Sequence, residues 1–170
     1  AFMGDGTLGE GVVYEALNMA ALWNAPILYV VEDNRIAQTT PVNLALAGDM
    51  AARFAAFGIS LAELDSSDVR LIYTHAGKQL AEVRSQGGPR ALILHTCRFG
   101  PHSKGDDTRP ADDLQRLRQE RDPLSIQAAR LDREILKKIR ASVDARIEQA
   151  YQAALTDPYP TLEGQVSGVH

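Results

Sequence analysis

Two short stretches of this chain carry the residue types suited to holding a cation: Gly4-Asp5-Gly6 and, further on, Asp33-Asn34. The carboxylate of Asp5 and the amide oxygen of Asn34 are hard oxygen ligands. With a backbone carbonyl, two phosphate oxygens and a water, they would complete the octahedral shell that Mg²⁺ demands. Gly4 and Gly6 let the chain turn sharply and let a phosphate approach the backbone. A helix opening just after Leu8 would aim unpaired N–H groups and a partial positive charge at that phosphate. Asp-Gly and Asp-Asn also mark ordinary turns, so neither stretch decides anything alone. They read as one diphosphate–metal site if the intervening chain brings them to the same edge of the fold.

The intervening chain has the pattern needed. Ala1 to Met3 is apolar and reads as the end of a strand. From Leu8 to Trp23, Val12, Val13, Ala16, Leu17, Ala20 and Trp23 recur at helical spacing, and Asn24-Ala25-Pro26 closes the run. "ILYVVE", Ile27 to Glu32, is a continuous run of β-formers, as expected of a strand buried on both faces. Strand, helix and strand make a βαβ unit whose strands are parallel, so Asp5 and Asn34 are expected at one carboxyl edge, where open α/β sheets bind ligands.

The alternation continues through a short helix in "DMAARFAAFG" closed by Gly58 and a strand at Ile59 to Leu64. A helix follows from about Asp68 to Gln86, then the breaker Gly87-Gly88-Pro89 and a strand from Arg90 to Cys97. The expected fold class is therefore α/β, a mostly parallel sheet with helices on both faces.

Beyond Cys97, "RFGPHSKGDDTRPADD" reads as a long polar loop, a length usual for functional segments. His102 lies in it, just past a strand's carboxyl end, where an imidazole could donate to phosphate or shuttle protons. Arg98, Lys104 and Arg109 give the loop positive charge that could meet an anionic ligand or simply solvent. The remaining chain is helical in pattern, with a break at Asp122-Pro123 and a proline-marked tail. The expected division is a core over 1–97, a loop region over 98–123 that would carry part of the site, and C-terminal helices and tail over 124–170.

Bulk properties exclude several classes. A net charge of −4 gives no reason to expect nucleic acid or an anionic membrane as partner. No stretch approaches the roughly 20 apolar residues of a membrane span. The single cysteine, Cys97, excludes an intrachain disulfide and fits a reducing, cytoplasmic setting. Cys97, His75 and His95 read as surface or packing residues, and Glu10 and Glu15 as solvent-facing. The first strand has at most three residues before the chain begins, so the fold is expected to be N-terminally incomplete, or completed by another chain.

Gly4-Asp5-Gly6 followed by Asn34 resembles the thiamine-diphosphate motif, which runs from GDG to a downstream Asn. "NMAALWNAPILYVVEDNR", "RFGPHSKGDD" and "TDPYPTLE" closely resemble the α subunit of the decarboxylating component of 2-oxo acid dehydrogenase complexes, the group of the pyruvate, branched-chain and acetoin dehydrogenases. The resemblance implies that Asp5 and Asn34 bind Mg²⁺ through their side chains and Ile36 through its carbonyl. Gly4, Gly6, Thr7, Asn34, Arg98 and His102 fall on the cofactor-binding positions, with Gly6 and Thr7 touching the diphosphate and Arg98 ordering the loop. His102, the catalytic candidate, would also face the bound intermediate. Ser103 falls where mitochondrial members are phosphorylated, and is read here as a plain loop serine.

Departures from the family pattern are Asp33 in place of a second Asn, Ile36 for Tyr, Cys97 for Tyr, Ser66 for Gly, and Pro101 for His or Gly. The implied function is the diphosphate-binding half of an enzyme that decarboxylates a 2-oxo acid and passes the acyl group to a lipoyl or carrier partner. The implied partners are a β subunit or pyrimidine-binding domain, which carries the activating glutamate, and a further chain for the N-terminal segment. Transketolase-like two-carbon transfer and a purely structural split subunit are the competing readings.

Overall fold

The computed structural model describes residues 1–103, 105 and 107–160. The readings on Lys104 and on the end of "TDPYPTLE" lie outside the described residues. The chain divides into two compact units, Ala1–Gln127 and Ala128–His170.

The first unit is built on a four-stranded parallel sheet. Its strands are β1 (Phe2–Gly4), β2 (Leu28–Asp33), β5 (Ser60–Asp65) and β6 (Arg90–His95), in the order β1-β2-β6-β5. The register pairs Met3 with Val31, Val31 with Ile93 and Glu63 with Ile93, so all four carboxyl ends lie at one edge. A two-stranded antiparallel ribbon, β3 (Ile36–Ala37) with β4 (Thr40–Pro41), follows β2 at that edge.

Alternation along each strand explains why "ILYVVE" is apolar throughout. Tyr29, Val31, Ala91 and Ile93 face one side, where they pack with Val13, Leu17 and Ala20 of α1 (Gly11–Leu22) and Phe54 of α3 (Met50–Ala55). Val30, Leu92 and Leu94 face the other, against Ile72 and Ala76 of α4 (Val69–Gln86). Helices thus cover both faces, and β2 and β6 are apolar on both.

Local chemistry sets the ends. Asp49 caps α3 through its carboxylate (2.7 Å to the Ala52 N–H), and Asp68 caps α4 (3.0 Å to the Arg70 N–H). Gly58 and Gly87 stop the chain in left-handed conformations at φ 70° each.

Besides the ribbon, several boundaries differ from the sequence reading. A 3₁₀ turn, Asp5–Gly9, precedes α1, which begins at Gly11 rather than just after Leu8. The glycines at 4, 6, 9 and 11 make this stretch a poor α-helix former. Strand β6 ends at His95, two residues early, although the Thr96 N–H still donates to the Asp33 carbonyl (2.8 Å). The loop ends at Pro110, because Asp112 and Asp113 supply the acidic first turn that favours the start of α5 (Ala111–Arg121). Pro123, with no N–H to lose, opens α6 (Pro123–Ala128).

In the second unit, α7 (Arg133–Thr156) is capped by Asp132, whose carboxylate accepts from the N–H groups of Glu134 (2.8 Å) and Ile135 (3.3 Å). Among the described residues no helix is long and apolar enough to cross a membrane.

Candidate functional site

Asp5 follows β1 and Asn34 follows β2, so the parallel pairing carries both to the carboxyl edge. A cavity of about 570 Å³ opens there. Gly4, Asp5, Gly6 and Thr7 line it from the 3₁₀ turn and the strand before it, Asn34 and Ile36 from the turn after β2. Arg98 and His102 line it from the loop after β6. The structure therefore gathers Gly4, Asp5, Gly6, Thr7, Asn34, Ile36, Arg98 and His102 around one space.

Asp5 is the least comfortable group in that space. Its residue is 2% exposed, and Oδ1 accepts from the Gly6 N–H (2.7 Å). Oδ2 is buried without a hydrogen-bond partner. Burial pushes its carboxyl up from the usual aspartate range, and the adjacent Asp33 carboxylate pushes the same way against the Gly6 N–H. A buried carboxylate oxygen with no donor is costly unless a cation completes it.

The turn after β2 is set by two side chains acting on their own backbone. Asp33 Oδ1 accepts from the Arg35 N–H (3.0 Å), and Asn34 Oδ1 accepts from the Ile36 N–H (3.1 Å). Between them Arg35 is forced to φ 67°, a left-handed conformation that a long side chain adopts only under such constraint. The Asn34 oxygen keeps a second lone pair for a further partner.

The glycines divide in their roles. A Cβ on Gly6 would fall 2.6 Å from the Ala37 Cβ, so the ribbon's close approach requires a glycine. The expectation that Gly4 supplies a sharp turn is corrected. Its backbone is extended (φ −82°, ψ 165°), a conformation open to any residue, and a Cβ there would meet nothing within 4 Å.

Behind the 3₁₀ turn, Tyr14 donates its hydroxyl proton to the Leu8 carbonyl, and Arg53 donates to the Tyr14 hydroxyl and to the Ala47 carbonyl. These bonds join the turn to α1 and α3.

The loop is held by its arginines. Arg98 donates to the carbonyls of Gly100 (3.0 Å) and Gln38 (2.9 Å), the latter in the turn of the ribbon. Arg109 donates to the carbonyls of Arg98 (2.7 Å) and Gly100 (3.1 Å) and pairs with Asp107 (2.7 Å). Arg118 of α5 donates to the Phe99 carbonyl (2.9 Å) and lies over the Phe99 ring. Arg109 is thus engaged within the loop, while Arg98 both braces the loop and reaches the cavity. The hydrogen bond from Arg109 holds the Asp107 carboxyl down at about 2.

Sequence reasoning missed one group of residues. Asp33, read as a turn residue and as a departure from a family pattern, is fully buried, and its Oδ2 lies 2.7 Å from His95 Nδ1 and 2.9 Å from Arg35 Nε. His95, read as a packing residue, also lies 2.7 Å from Glu63 through Nε2. Only the register of β2 with β6 places Asp33 opposite His95, each at the last position of its strand.

The donor set matches a cation that arrives with its own phosphate oxygens. Among the described residues no three His, Cys, Asp or Glu side chains cluster as a self-sufficient metal site. One orphaned carboxylate oxygen, one amide oxygen and a backbone carbonyl are what a diphosphate-bound Mg²⁺ would need from protein.

Comparison with known proteins gives a consistent result. The family model described as "Dehydrogenase E1 component" matches residues 1–163. The pyruvate dehydrogenase E1 component subunit alpha of Rhizobium meliloti is 38% identical over 95% of this chain and 49% of its own length. The alpha subunit of the acetoin:2,6-dichlorophenolindophenol oxidoreductase of Cupriavidus necator is 35% identical over 99% of this chain and 54% of its own. The chain thus spans about half the length of the curated relatives it matches. A transketolase from Pichia stipitis superposes with a TM-score of 0.50 and 26% identity, over 72% of this chain and 19% of that one.

Proposed function

The chain belongs to the dehydrogenase E1 component family, and from that premise we propose that it is the diphosphate-binding part of a thiamine-diphosphate-dependent 2-oxo acid dehydrogenase. The observation that carries the reading is the unpartnered, buried Oδ2 of Asp5, a residue that lines one cavity with Asn34, Ile36, Arg98 and His102.

In this reading Asp5, the Asn34 side chain and the Ile36 carbonyl hold Mg²⁺, and the cation holds the diphosphate of the cofactor. Gly6 and Thr7 contact the diphosphate through the 3₁₀ turn, where only a glycine at 6 leaves room. Arg98 keeps the loop against the ribbon and adds positive charge beside the phosphates. His102 donates to the diphosphate and holds or moves a proton on the reacting side of the cavity. The bound cofactor supplies a carbanion for attack on a 2-oxo carbonyl and an electron sink for loss of CO₂. A β subunit or pyrimidine-binding domain would furnish the activating carboxylate, and a lipoyl or carrier domain would accept the acyl group. The single cysteine supports a reducing, cytoplasmic setting.

Titration of thiamine diphosphate into the protein co-expressed with its β-type subunit tests the reading. Binding should require Mg²⁺ and be lost in Asp5→Ala. Binding that ignores the metal, or no binding, would overturn it. The transketolase superposition keeps two-carbon transfer as a second reading. Release of CO₂ from pyruvate with no turnover of a ketose phosphate separates the two.

A further inference from the structure

On the sheet face that packs against α1 and α3, the inward positions change from apolar to ionisable at the carboxyl end of each strand. Met3 is followed at the next inward position by Asp5, Val31 by Asp33, Ile93 by His95 and Leu61 by Glu63. Asp33 and His95 are register partners, and Asp5 lies one residue beyond the Gly4–Glu32 pair. The result is a row crossing the whole sheet, from the cavity at Asp5, through the buried Asp33 and the partly buried His95, to the half-exposed Glu63.

Asp33 has two tasks in that row. Its Oδ1 sets the turn that presents Asn34 and Ile36, and its negative charge lies beside Asp5. Arg35 answers that charge from the solvent side, with a side chain 66% exposed and therefore strongly screened. His95 answers it from inside, at 2.7 Å, with a ring fixed from its other nitrogen by Glu63.

We propose that His95 is a positioning residue for the cation site: by binding Asp33 it fixes the carboxylate that shapes the Asn34–Ile36 turn and keeps that carboxylate from competing with Asp5 for the metal. This rests on the diphosphate–metal reading of the cavity. Hydrogen-bond partners of this kind, one step removed from a metal, orient its ligands.

Two variants separate a hydrogen-bonding role from a packing role. His95→Asn keeps a donor near the Nδ1 position and loses ring volume; His95→Phe keeps the volume and loses both hydrogen-bonding nitrogens. The readout is the affinity of the assembled protein for Mn²⁺ with thiamine diphosphate present, followed by loss of the free-ion electron paramagnetic resonance signal. His95→Phe should bind Mn²⁺ about tenfold more weakly or worse, and His95→Asn should stay within about threefold of the parent. Parent-like binding by His95→Phe, or a tenfold loss in His95→Asn, overturns the proposal while leaving the cavity reading intact. If His95→Phe does not fold, the His95→Asn outcome alone decides. A parent protein that takes up no Mn²⁺ defeats the cavity reading, and this proposal with it.

Discussion

Gly6 and Ala37 approach so closely that a Cβ on the glycine would sit 2.6 Å from the Cβ of the alanine. The 3₁₀ turn after β1 and the ribbon after β2 are therefore fitted to one another, and both line the cavity. Gly6→Ala should push them apart and weaken Mg²⁺-dependent thiamine diphosphate binding at least about tenfold, since cation ligands tolerate only small displacements. The double variant Gly6→Ala/Ala37→Gly removes the clashing partner atom and should recover part of the affinity. Calorimetric titration of both variants checks this; an unaltered Gly6→Ala would show the contact to be immaterial.

Asp5→Asn should move stability and binding in opposite directions. Burial and Asp33 raise the Asp5 carboxyl above 3.8, its ordinary value. The folded state therefore favours the neutral acid, and its stability falls as pH rises through the raised value. At neutral pH, without ligand, Asp5→Asn should melt a few degrees above the parent. The gap should close as the pH falls below 3.8, where both folded and unfolded carboxyls are protonated. Added Mg²⁺ and thiamine diphosphate should raise the parent's Tm and leave that of Asp5→Asn unchanged. Thermal melts at several pH values provide the measurement.

Much of the scaffold was legible from short-range pattern. The helix from Asp68 to Gly87 announces both its cap and its stop, and the apolar run before Asp33 marks a strand covered on two sides. The positions of Asp5 and Asn34 at one edge follow from the handedness of a single crossover. What escaped depends on conformations that local preference disfavours or on distant pairing. The ribbon at Ile36–Pro41 requires Arg35 and Gln38 at φ 67° and 56°, which their residue types do not signal. The Asp33–His95 bond joins residues 62 apart in sequence, and only the register of β2 with β6 brings them together. The engaged state of Arg109 likewise depends on loop carbonyls that no spacing rule identifies.

The Arg109–Asp107 pair should keep the loop in place to low pH. With the Asp107 carboxyl held at about 2, below its unfolded value, the pair's contribution is present above that unfolded value and is lost as pH falls through about 2. Arg109→Ala should free the carbonyl of Arg98, leave that of Gly100 to Arg98 alone, and speed amide exchange across the loop at neutral pH, with little change in β2 or β6. Hydrogen exchange resolved by mass spectrometry reads both effects.

Phe54→Ala should test the packing on which the site rests. Phe54 of α3 is fully buried against Tyr29 of β2, and its loss should cost about 3–5 kcal/mol in urea unfolding. A loss under about 1 kcal/mol would mean that α3 does not close the core as described.

The most direct test is a crystal structure of the assembled protein grown with Mn²⁺ and thiamine diphosphate, with the metal located by its anomalous signal. The expected result is one peak within about 2.0–2.3 Å of an Asp5 carboxylate oxygen, the Asn34 amide oxygen and the Ile36 carbonyl, bridged to two phosphate oxygens. A peak bound elsewhere, or a diphosphate seated away from these three residues, would contradict the assignment.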